Sequence, residues 1–139
     1  MSVNVLYRTS AKATGGRDGH AATLDGALDV KLTTPKELGG GGGAGNNPEQ
    51  LFALGYSSCY GQAILLIAKK YGLDGQAARV TCEVTLDQKD GGFGLAVELK
   101  VSIPGADKDK LRQLVEEAHT VCPYSKATKG NIPVKLTVV

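Results

Sequence analysis

The sequence predicts an α+β fold in which antiparallel sheets pack around one long, buried central helix. The first observation behind this prediction is a charge-free stretch over residues 51–68, where Gln62 is the only strongly polar side chain. The second is that residues 80–87 and 95–103 alternate between apolar and polar side chains, which is the period of a half-buried strand. Short apolar segments separated by glycine-containing turns precede the long stretch and predict a further sheet.

Length, charge and cysteine content limit the classes of protein to consider. A chain of 139 residues is large enough for one core, and we predict a single domain over residues 1–139. The formal net charge of +2 gives no reason to expect nucleic acid as a partner. Three cysteines are too few for a disulfide scaffold, and residues 1–8 lack the apolar run of a signal peptide. We therefore expect a cytoplasmic protein.

The chain is expected to begin with an antiparallel meander. A first strand is predicted from residue 3 to about residue 13, a second over residues 20–24 and a third over residues 28–32. The glycine-rich turn at residues 15–19 displays Arg17 between the first two strands.

The central helix has recognisable ends. Asn47 is a favourable N-cap, Pro48 suits the first helical position, and Gly72 can adopt the left-handed conformation that ends a helix. Because the stretch between them is apolar on nearly all faces, we expect it to be buried on nearly all sides. Ser, Gly and Gln interrupt it too often for a convincing membrane span, so no membrane association is expected.

The second half of the chain is expected to form a sheet covered by a helix. The alternating segments 80–87 and 95–103 predict an antiparallel pair, and residues 133–139 predict a last strand. Asp107 is placed to cap a second helix that runs to about Thr120. The predicted apolar stripe of this helix consists of Leu111, Leu114, Val115 and Ala118.

The three cysteines differ in their predicted surroundings. Cys82 lies on the inward face of a strand and is expected to be a small core residue. Cys59 lies inside the apolar helix, and Cys122 precedes Pro123 at a helix end or tight corner. Two interpretations stay open at this point: both thiols are core side chains, or Cys59 and Cys122 form a redox pair. Since burial alone makes a thiol inert, the second interpretation requires a positive charge nearby.

Metal and nucleotide sites are not expected. His119 and Cys122 have a spacing that metal ligands use, but a structural zinc normally needs four protein ligands, and His20 does not complete a second pair. The glycine run at residues 39–45 contains a G-x-G-x-x-G spacing, which almost any pure glycine run satisfies. We expect a flexible connection there instead.

Two cysteine motifs give the chain a family resemblance. Residues 48–59 (Pro-Glu-Gln-Leu-Phe-Ala-Leu-Gly-Tyr-Ser-Ser-Cys) and 121–125 (Val-Cys-Pro-Tyr-Ser) resemble those of the organic hydroperoxide resistance proteins. These form a branch of the superfamily that also contains the osmotically inducible protein C (OsmC) type. The Gly-Arg-Asp-Gly turn at residues 16–19 and the Thr-Lys-Gly-Asn-Ile segment at residues 128–132 also match, so the resemblance covers essentially the whole chain. Ser57, Ser58 and Tyr60 differ from the residues that are common at these positions in the family. These differences bear on the substrate preference and not on the reaction type.

The resemblance implies an OsmC-like fold, an intertwined homodimer and a cysteine-based peroxidase. It implies that Cys59 is the peroxidatic thiol, which becomes a sulfenic acid, and that Cys122 is the resolving thiol, which forms a disulfide with it. It further implies that Arg17 favours the Cys59 thiolate and can hydrogen-bond the peroxide, while Glu49 orients the guanidinium through an ion pair.

Substrates and partners also follow from the resemblance. Alkyl and fatty-acid hydroperoxides are the expected substrates, and they suit apolar neighbours such as Phe52 and Leu51. The implied reductant is a lipoyl group carried on a protein, an external dithiol, and no bound metal, haem or flavin is expected. Cys82 lies outside the motifs and receives no role. The alternatives are a peroxidase of the sister osmotically inducible type, or a non-enzymatic module that holds an apolar ligand or senses redox state.

The spacing of Glu49 and Cys59 bears on the oligomeric state. These residues are ten positions apart, which is about 15 Å along a continuous helix. Either the helix breaks near Gly55, or Glu49 and Arg17 serve the cysteine of a second subunit. The helix is also too apolar to be covered by one small sheet, so we predict an intimate homodimer with its active sites at the interface.

Overall fold

The computed structural model describes residues 3–139. The chain divides into two compact units, of which one ends at Pro48 and the other spans Glu49–Val139. The prediction of a single domain over the whole chain stays a prediction.

The first unit contains a three-stranded antiparallel sheet with the order β1-β2-β3. Its strands are β1 (Ala11–Thr14), β2 (His20–Thr23) and β3 (Asp29–Lys31). The second and third predicted strands are confirmed with shorter bounds. The first is wrong over residues 3–10, which carry no strand. A strand needs a hydrogen-bonded partner, and β2 pairs with residues 11–14 on one edge and with β3 on the other.

The second unit begins with the long helix and ends with a three-stranded sheet of order β4-β5-β6. Its elements are α1 (Pro48–Ile67), β4 (Arg79–Lys89), β5 (Gly92–Ser102), α2 (Lys108–Val121), α3 (Pro123–Thr128) and β6 (Val134–Val138). β4 and β5 are antiparallel as predicted, whereas β6 pairs with β5 in parallel. The expectation of purely antiparallel sheets is therefore wrong at β6, because the helices α2 and α3 carry the chain back before this strand forms.

The core of the second unit lies where β5, α1 and α2 meet. The predicted alternation in β5 is confirmed, since Val97, Leu99 and Val101 are buried. The predicted cap of α2 is also confirmed, because the Asp107 carboxylate accepts a hydrogen bond from the Lys110 backbone N–H at 3.0 Å. The whole predicted stripe of α2 is buried in this core: Leu111, Leu114, Val115 and Ala118.

Helix α1 is continuous and ends as predicted, but it is not buried all round. A 3₁₀ turn, Ala68–Tyr71, extends it, and Gly72 closes it with a φ of 67°. One face carries the buried residues Tyr56, Tyr60, Ala63 and Ile64. On the opposite face every fourth residue is exposed, and Leu54 and Leu66 keep 59% and 65% of their surface. The expectation of burial on nearly all sides is therefore wrong within this chain.

By length and composition alone, the helical segment Pro48–Tyr71 could cross a membrane. The core helix of a soluble protein meets the same criterion, so this property is weak support for a membrane span. The expectation of no membrane association stays a prediction.

Candidate active site

Two cysteines that are 63 residues apart in sequence lie side by side in the second unit. The Cys122 Sγ–H donates a hydrogen bond to the Cys59 Sγ at 3.4 Å, and both cysteines are free thiols. A disulfide has an S–S distance of roughly 2.05 Å, so a relative movement of about 1.4 Å would join the two sulfurs. The geometry brings together two of the four predicted site residues, and it favours the redox-pair interpretation over two separate core thiols.

Cys59 is held in place by aromatic residues on the same helix. Tyr56 and Tyr60, one turn before it and next to it, are completely buried. The Tyr60 hydroxyl donates to the Val115 carbonyl at 2.7 Å, which ties α1 to α2. Phe52 packs edge-on against Tyr56, with ring centroids 6.1 Å apart. Because the aromatic side chains fix the rotation of α1, the half-buried Cys59 thiol points at a defined neighbour.

Cys122 occupies the corner between two helices. It is the last residue of the α2 hydrogen-bonding pattern, with its N–H donating to the Ala118 carbonyl at 3.0 Å. Its own carbonyl accepts from the Lys126 N–H at 3.0 Å, which begins α3. The corner forms because Pro123 disfavours the helical conformation for the residue before it, and Cys122 accordingly has a ψ of 124°. The predicted helix end is confirmed, and it leaves the Cys122 thiol fully buried.

The surroundings of Cys59 disfavour its charged form. Burial raises the pKa of the Cys59 thiol above its ordinary value, a hydrogen bond from the Tyr124 backbone lowers it, and the neighbouring Cys122 raises it again. The net effect of the second unit is a raised pKa. A thiolate at neutral pH therefore needs a cation close to the sulfur.

Arg17 and Glu49 are the two predicted residues that would meet this need. Arg17 lies in a 3₁₀ turn, Gly16–Asp18, of the first unit. The neighbouring Asp18 carboxylate accepts from the Thr34 N–H at 3.0 Å, which anchors this turn to the segment after β3. Glu49 lies in the first turn of α1. The assignment of both side chains to the Cys59 thiol stays a prediction.

The continuity of α1 settles one of the two alternatives for Glu49. The helix runs without interruption from Pro48 to Ile67, so the proposed break near Gly55 is wrong. Glu49 therefore lies about 15 Å along the axis from Cys59 of the same chain. The alternative that is left is a second subunit.

The Tyr124 side chain packs against the helix that carries Cys59. Its ring packs against Tyr56 with centroids 5.8 Å apart. A Cβ at Gly55 would lie 2.9 Å from the Tyr124 hydroxyl oxygen, so this close approach requires a glycine in the helix. The sequence does not indicate this role for Gly55, because no spacing rule relates it to a residue 69 positions later.

An apolar pocket of about 300 Å³ lies beside Tyr124. Thr128 and Asn131 supply its polar side chains, and the remaining walls are apolar or aromatic. Phe52, which the sequence suggested as an apolar neighbour of the site, lines it, whereas Leu51 does not. The complete lining consists of Phe52, Leu95, Tyr124, Ala127, Thr128, Asn131 and Ile132.

Cys82 and His119 are the remaining candidate residues outside the thiol pair. Cys82 is half-buried in β4, and burial raises the pKa of its thiol to about 11, in agreement with the predicted core role. His119 uses its Nδ1 in a hydrogen bond with Ser125 at 2.8 Å. Within residues 3–139 no group of three or more His, Cys, Asp or Glu side chains could hold a metal ion.

Buried hydroxyl groups near the thiols are the features that sequence analysis missed. The Tyr56 hydroxyl lies 2.9 Å from the Ser125 Oγ and 3.2 Å from the Thr128 Oγ1. A tyrosine inside an apolar helix signals that its hydroxyl needs a partner, but the sequence does not say which one.

Comparison with known proteins gives matches over nearly the full chain. A family model described as OsmC-like protein matches residues 40–137. The organic hydroperoxide resistance protein of Xanthomonas axonopodis pv. citri is 53% identical over 136 residues, which cover 96% of this chain and 95% of that protein. The crystal structure of an organic hydroperoxide resistance protein from Legionella pneumophila has a TM-score of 0.89 and 46% identity, and the match covers 97% of this chain and 98% of that one. The crystal structure of the organic hydroperoxide resistance protein OhrB of Bacillus subtilis has a TM-score of 0.87 and 40% identity over 97% of this chain and 100% of that one.

Proposed function

The chain belongs to the OsmC-like family, and within it to the organic hydroperoxide resistance proteins, and from this membership we propose that it is a cysteine-based peroxidase. Its substrates are organic hydroperoxides, which it reduces to alcohols. The observation that carries the proposal is the 3.4 Å separation of the Cys59 and Cys122 sulfurs. Two core thiols with no joint role would have no need to meet at a helix corner.

The reaction begins at Cys59. Its thiolate attacks the terminal oxygen of the hydroperoxide, the O–O bond breaks, and the leaving alkoxide takes a proton to become the alcohol. Cys59 is oxidised to a sulfenic acid and the peroxide is reduced by two electrons. The raised pKa of Cys59 explains why a cation is required, and Arg17 supplies it in this proposal, with Glu49 orienting the guanidinium.

Cys122 completes the turnover. Its sulfur attacks the sulfenic acid of Cys59, water leaves, and the Cys59–Cys122 disulfide forms. An external dithiol, a dihydrolipoyl group on a partner protein, then reduces this disulfide by thiol–disulfide exchange and is itself oxidised to a cyclic disulfide. All electrons pass through sulfur, so the proposal includes no bound metal, haem or flavin.

The pocket beside Tyr124 supports the choice of substrate. Its walls are mostly apolar, and its volume of about 300 Å³ accommodates an alkyl chain. Hydrogen peroxide has no apolar surface to bury against these walls, whereas an alkyl or fatty-acid hydroperoxide buries its chain there.

The proposed assembly is a homodimer in the cytoplasm. The exposed leucines of α1 support the dimer, because Leu54 and Leu66 would be covered by a second copy. The continuous helix supports active sites that combine Cys59 of one subunit with Glu49 and Arg17 of the other. Three cysteines, an odd number too small for a disulfide scaffold, agree with a reducing compartment.

Peroxide consumption by the purified protein tests the proposal. We expect rapid removal of tert-butyl and linoleic acid hydroperoxides with dihydrolipoamide, and much slower removal of hydrogen peroxide. Cys59→Ser should abolish consumption, and Cys122→Ser should allow one turnover without formation of the intramolecular disulfide. Cys82→Ala is the matched control, which should keep the activity since its thiol lies outside the pair. If Cys59→Ser keeps the activity, the Cys59 mechanism is excluded. If the unmodified protein turns over neither organic hydroperoxide, a ligand-binding or redox-sensing module takes the place of the peroxidase.

A further inference from the structure

A cluster of buried hydroxyl groups has no part in the mechanism described above. The Ser125 Oγ lies at its centre, 2.9 Å from the Tyr56 hydroxyl and 2.8 Å from the His119 Nδ1. Thr128 joins through the Tyr56 hydroxyl at 3.2 Å and also donates to the Ser125 carbonyl at 3.1 Å. We call these four side chains the Ser125 network.

The Ser125 network stands out against the composition of the core. Ser125 and Thr128 are the buried polar side chains of the described residues 3–139, with 1% and 6% of their surface exposed, and both belong to the network. Burying a hydroxyl costs free energy unless it is hydrogen-bonded, and each of these has a partner. An alanine at position 125 would fill the core without that cost, so an explanation by packing alone is insufficient.

The placement of the network relates it to both thiols. Tyr56 lies on α1, one helical turn before Cys59, and His119 lies on α2, three residues before Cys122. Ser125 lies on α3, three residues after Cys122. The hydrogen bonds therefore connect the helix that carries one thiol to both helices that form the corner of the other.

Disulfide formation is sensitive to such a connection. The S–S bond requires a distance of roughly 2.05 Å and a narrow range of torsion angles. Hydrophobic contacts have no direction and allow helices to slide, whereas buried hydrogen bonds fix their relative position. The contact of 3.4 Å between the sulfurs exists only while α1 and the corner keep their position.

We propose that Ser125 is a positioning residue for disulfide formation, which acts by joining Tyr56 and His119 and so holding the Cys122 corner against the Cys59 turn of α1. This inference rests on the proposed function for its biological use, but the positioning itself does not require a peroxide. Ser125 does not touch the reacting atoms. Its effect is a higher effective concentration of one thiol toward the other.

The first experiment measures that effective concentration without any peroxide. The full-length protein is equilibrated with mixtures of reduced and oxidised dithiothreitol, and the Cys59–Cys122 disulfide is quantified by mass spectrometry after alkylation. Ser125→Ala and Tyr56→Phe should each lower the effective concentration about tenfold, which raises the reduction potential by ~30 mV. Tyr56→Phe removes one oxygen and keeps the ring that packs against Tyr124.

A matched pair at His119 separates hydrogen bonding from packing. His119→Asn keeps a polar atom near the position of Nδ1, whereas His119→Leu has nearly the same shape and cannot form the hydrogen bond. We expect the asparagine variant to stay within about threefold of the unmodified protein and the leucine variant to match Ser125→Ala. Val101→Ala, a core variant in β5 outside the network, controls for general destabilisation and should leave the potential unchanged.

The outcomes distinguish the positioning role from the proposed function. If Ser125→Ala and His119→Leu leave the potential unchanged, the positioning role is excluded, whatever the peroxidase activity is. If they shift it while the unmodified protein consumes no hydroperoxide, the positioning role stands and the proposed function fails. If both hold, Ser125→Ala should form the Cys59 sulfenic acid at a normal rate and the disulfide about tenfold more slowly, as measured by dimedone trapping.

Discussion

The chemistry of the Cys59 thiol depends on opposing effects on its pKa. Burial raises the pKa, the Tyr124 backbone lowers it through a hydrogen bond, and the adjacent Cys122 thiol raises it. A higher pKa means less thiolate at neutral pH, and the thiolate is the nucleophile. The second unit alone therefore provides the position of the thiol without its activation. In the proposed site, the guanidinium of Arg17 would provide the activation.

This division of roles gives a prediction for Arg17. Arg17→Gln should raise the pKa of Cys59, because an opposite charge close to an ionisable group favours its charged form. Arg17→Lys keeps the charge and should shift the pKa less. The measurement is the rate of Cys59 alkylation by iodoacetamide as a function of pH in a Cys122→Ser background.

The control for the Arg17 variants is Arg112→Gln. Arg112 lies on the exposed side of α2, where it pairs with Asp109 at 3.1 Å, and its loss should leave the alkylation profile unchanged. An identical profile for Arg17→Gln and the unmodified protein would remove Arg17 from the proposed site.

At single residues, the sequence predicts which two thiols form a pair but not the side-chain contacts around them. Cys59 and Cys122 were recognised by their motifs, and the structure brings their sulfurs together. The contact of Gly55 with Tyr124 and the bonds of Ser125 could not be predicted. They depend on side chains that approach only after three helices have packed, and no local spacing encodes that approach.

Among the elements, the predictions from local signals hold, and the predictions that are wrong concern the pairing of two strands. The Asp107 cap and the end of α2 before Pro123 depend on a few neighbouring residues, so both could be predicted. Residues 3–10 have strand-like composition, but a strand exists only with a paired neighbour, and the ladder between β1 and β2 is limited to residues 11–14 of the first strand. The direction of β6 likewise depends on the course of the chain through α2 and α3.

The Asp107 cap gives a prediction at the scale of the element. Asp107→Ala should lower the free energy of unfolding by about 1 kcal/mol, because the Lys110 N–H loses its side-chain partner at the start of α2. Asp109→Ala is the matched control on the same helix turn, with an expected loss of ~0.3 kcal/mol from an exposed pair with Arg112. Urea unfolding at equal protein concentrations measures both. Equal losses in the two variants would contradict a capping role for Asp107.

At the scale of the whole molecule, the long helix has more apolar surface than one chain can cover. Its exposed face repeats every fourth residue, at positions 54, 58, 62 and 66. Leucines occupy both ends of this row, with 59% and 65% of their surface exposed. The sequence signalled an apolar helix correctly, but periodicity cannot distinguish burial within a chain from burial between chains. A second copy would satisfy the original expectation of burial on nearly all sides.

The proposed dimer gives the last prediction. Leu66→Lys should raise the dissociation constant of the dimer tenfold or more, because it removes roughly 2 kcal/mol of apolar burial and adds a charge that a second copy would have to desolvate. Leu24→Lys is the matched control, since Leu24 is 69% exposed but lies in the turn after β2. Mass photometry from nanomolar concentrations and sedimentation at micromolar concentrations measure both variants. The peroxidase activity of Leu66→Lys should fall on dilution together with the dimer, because Glu49 and Arg17 would then be separated from the Cys59 that they serve. A monomer that keeps full activity at nanomolar concentration would exclude shared active sites, and Glu49 would then need another route to Cys59 along an unbroken helix.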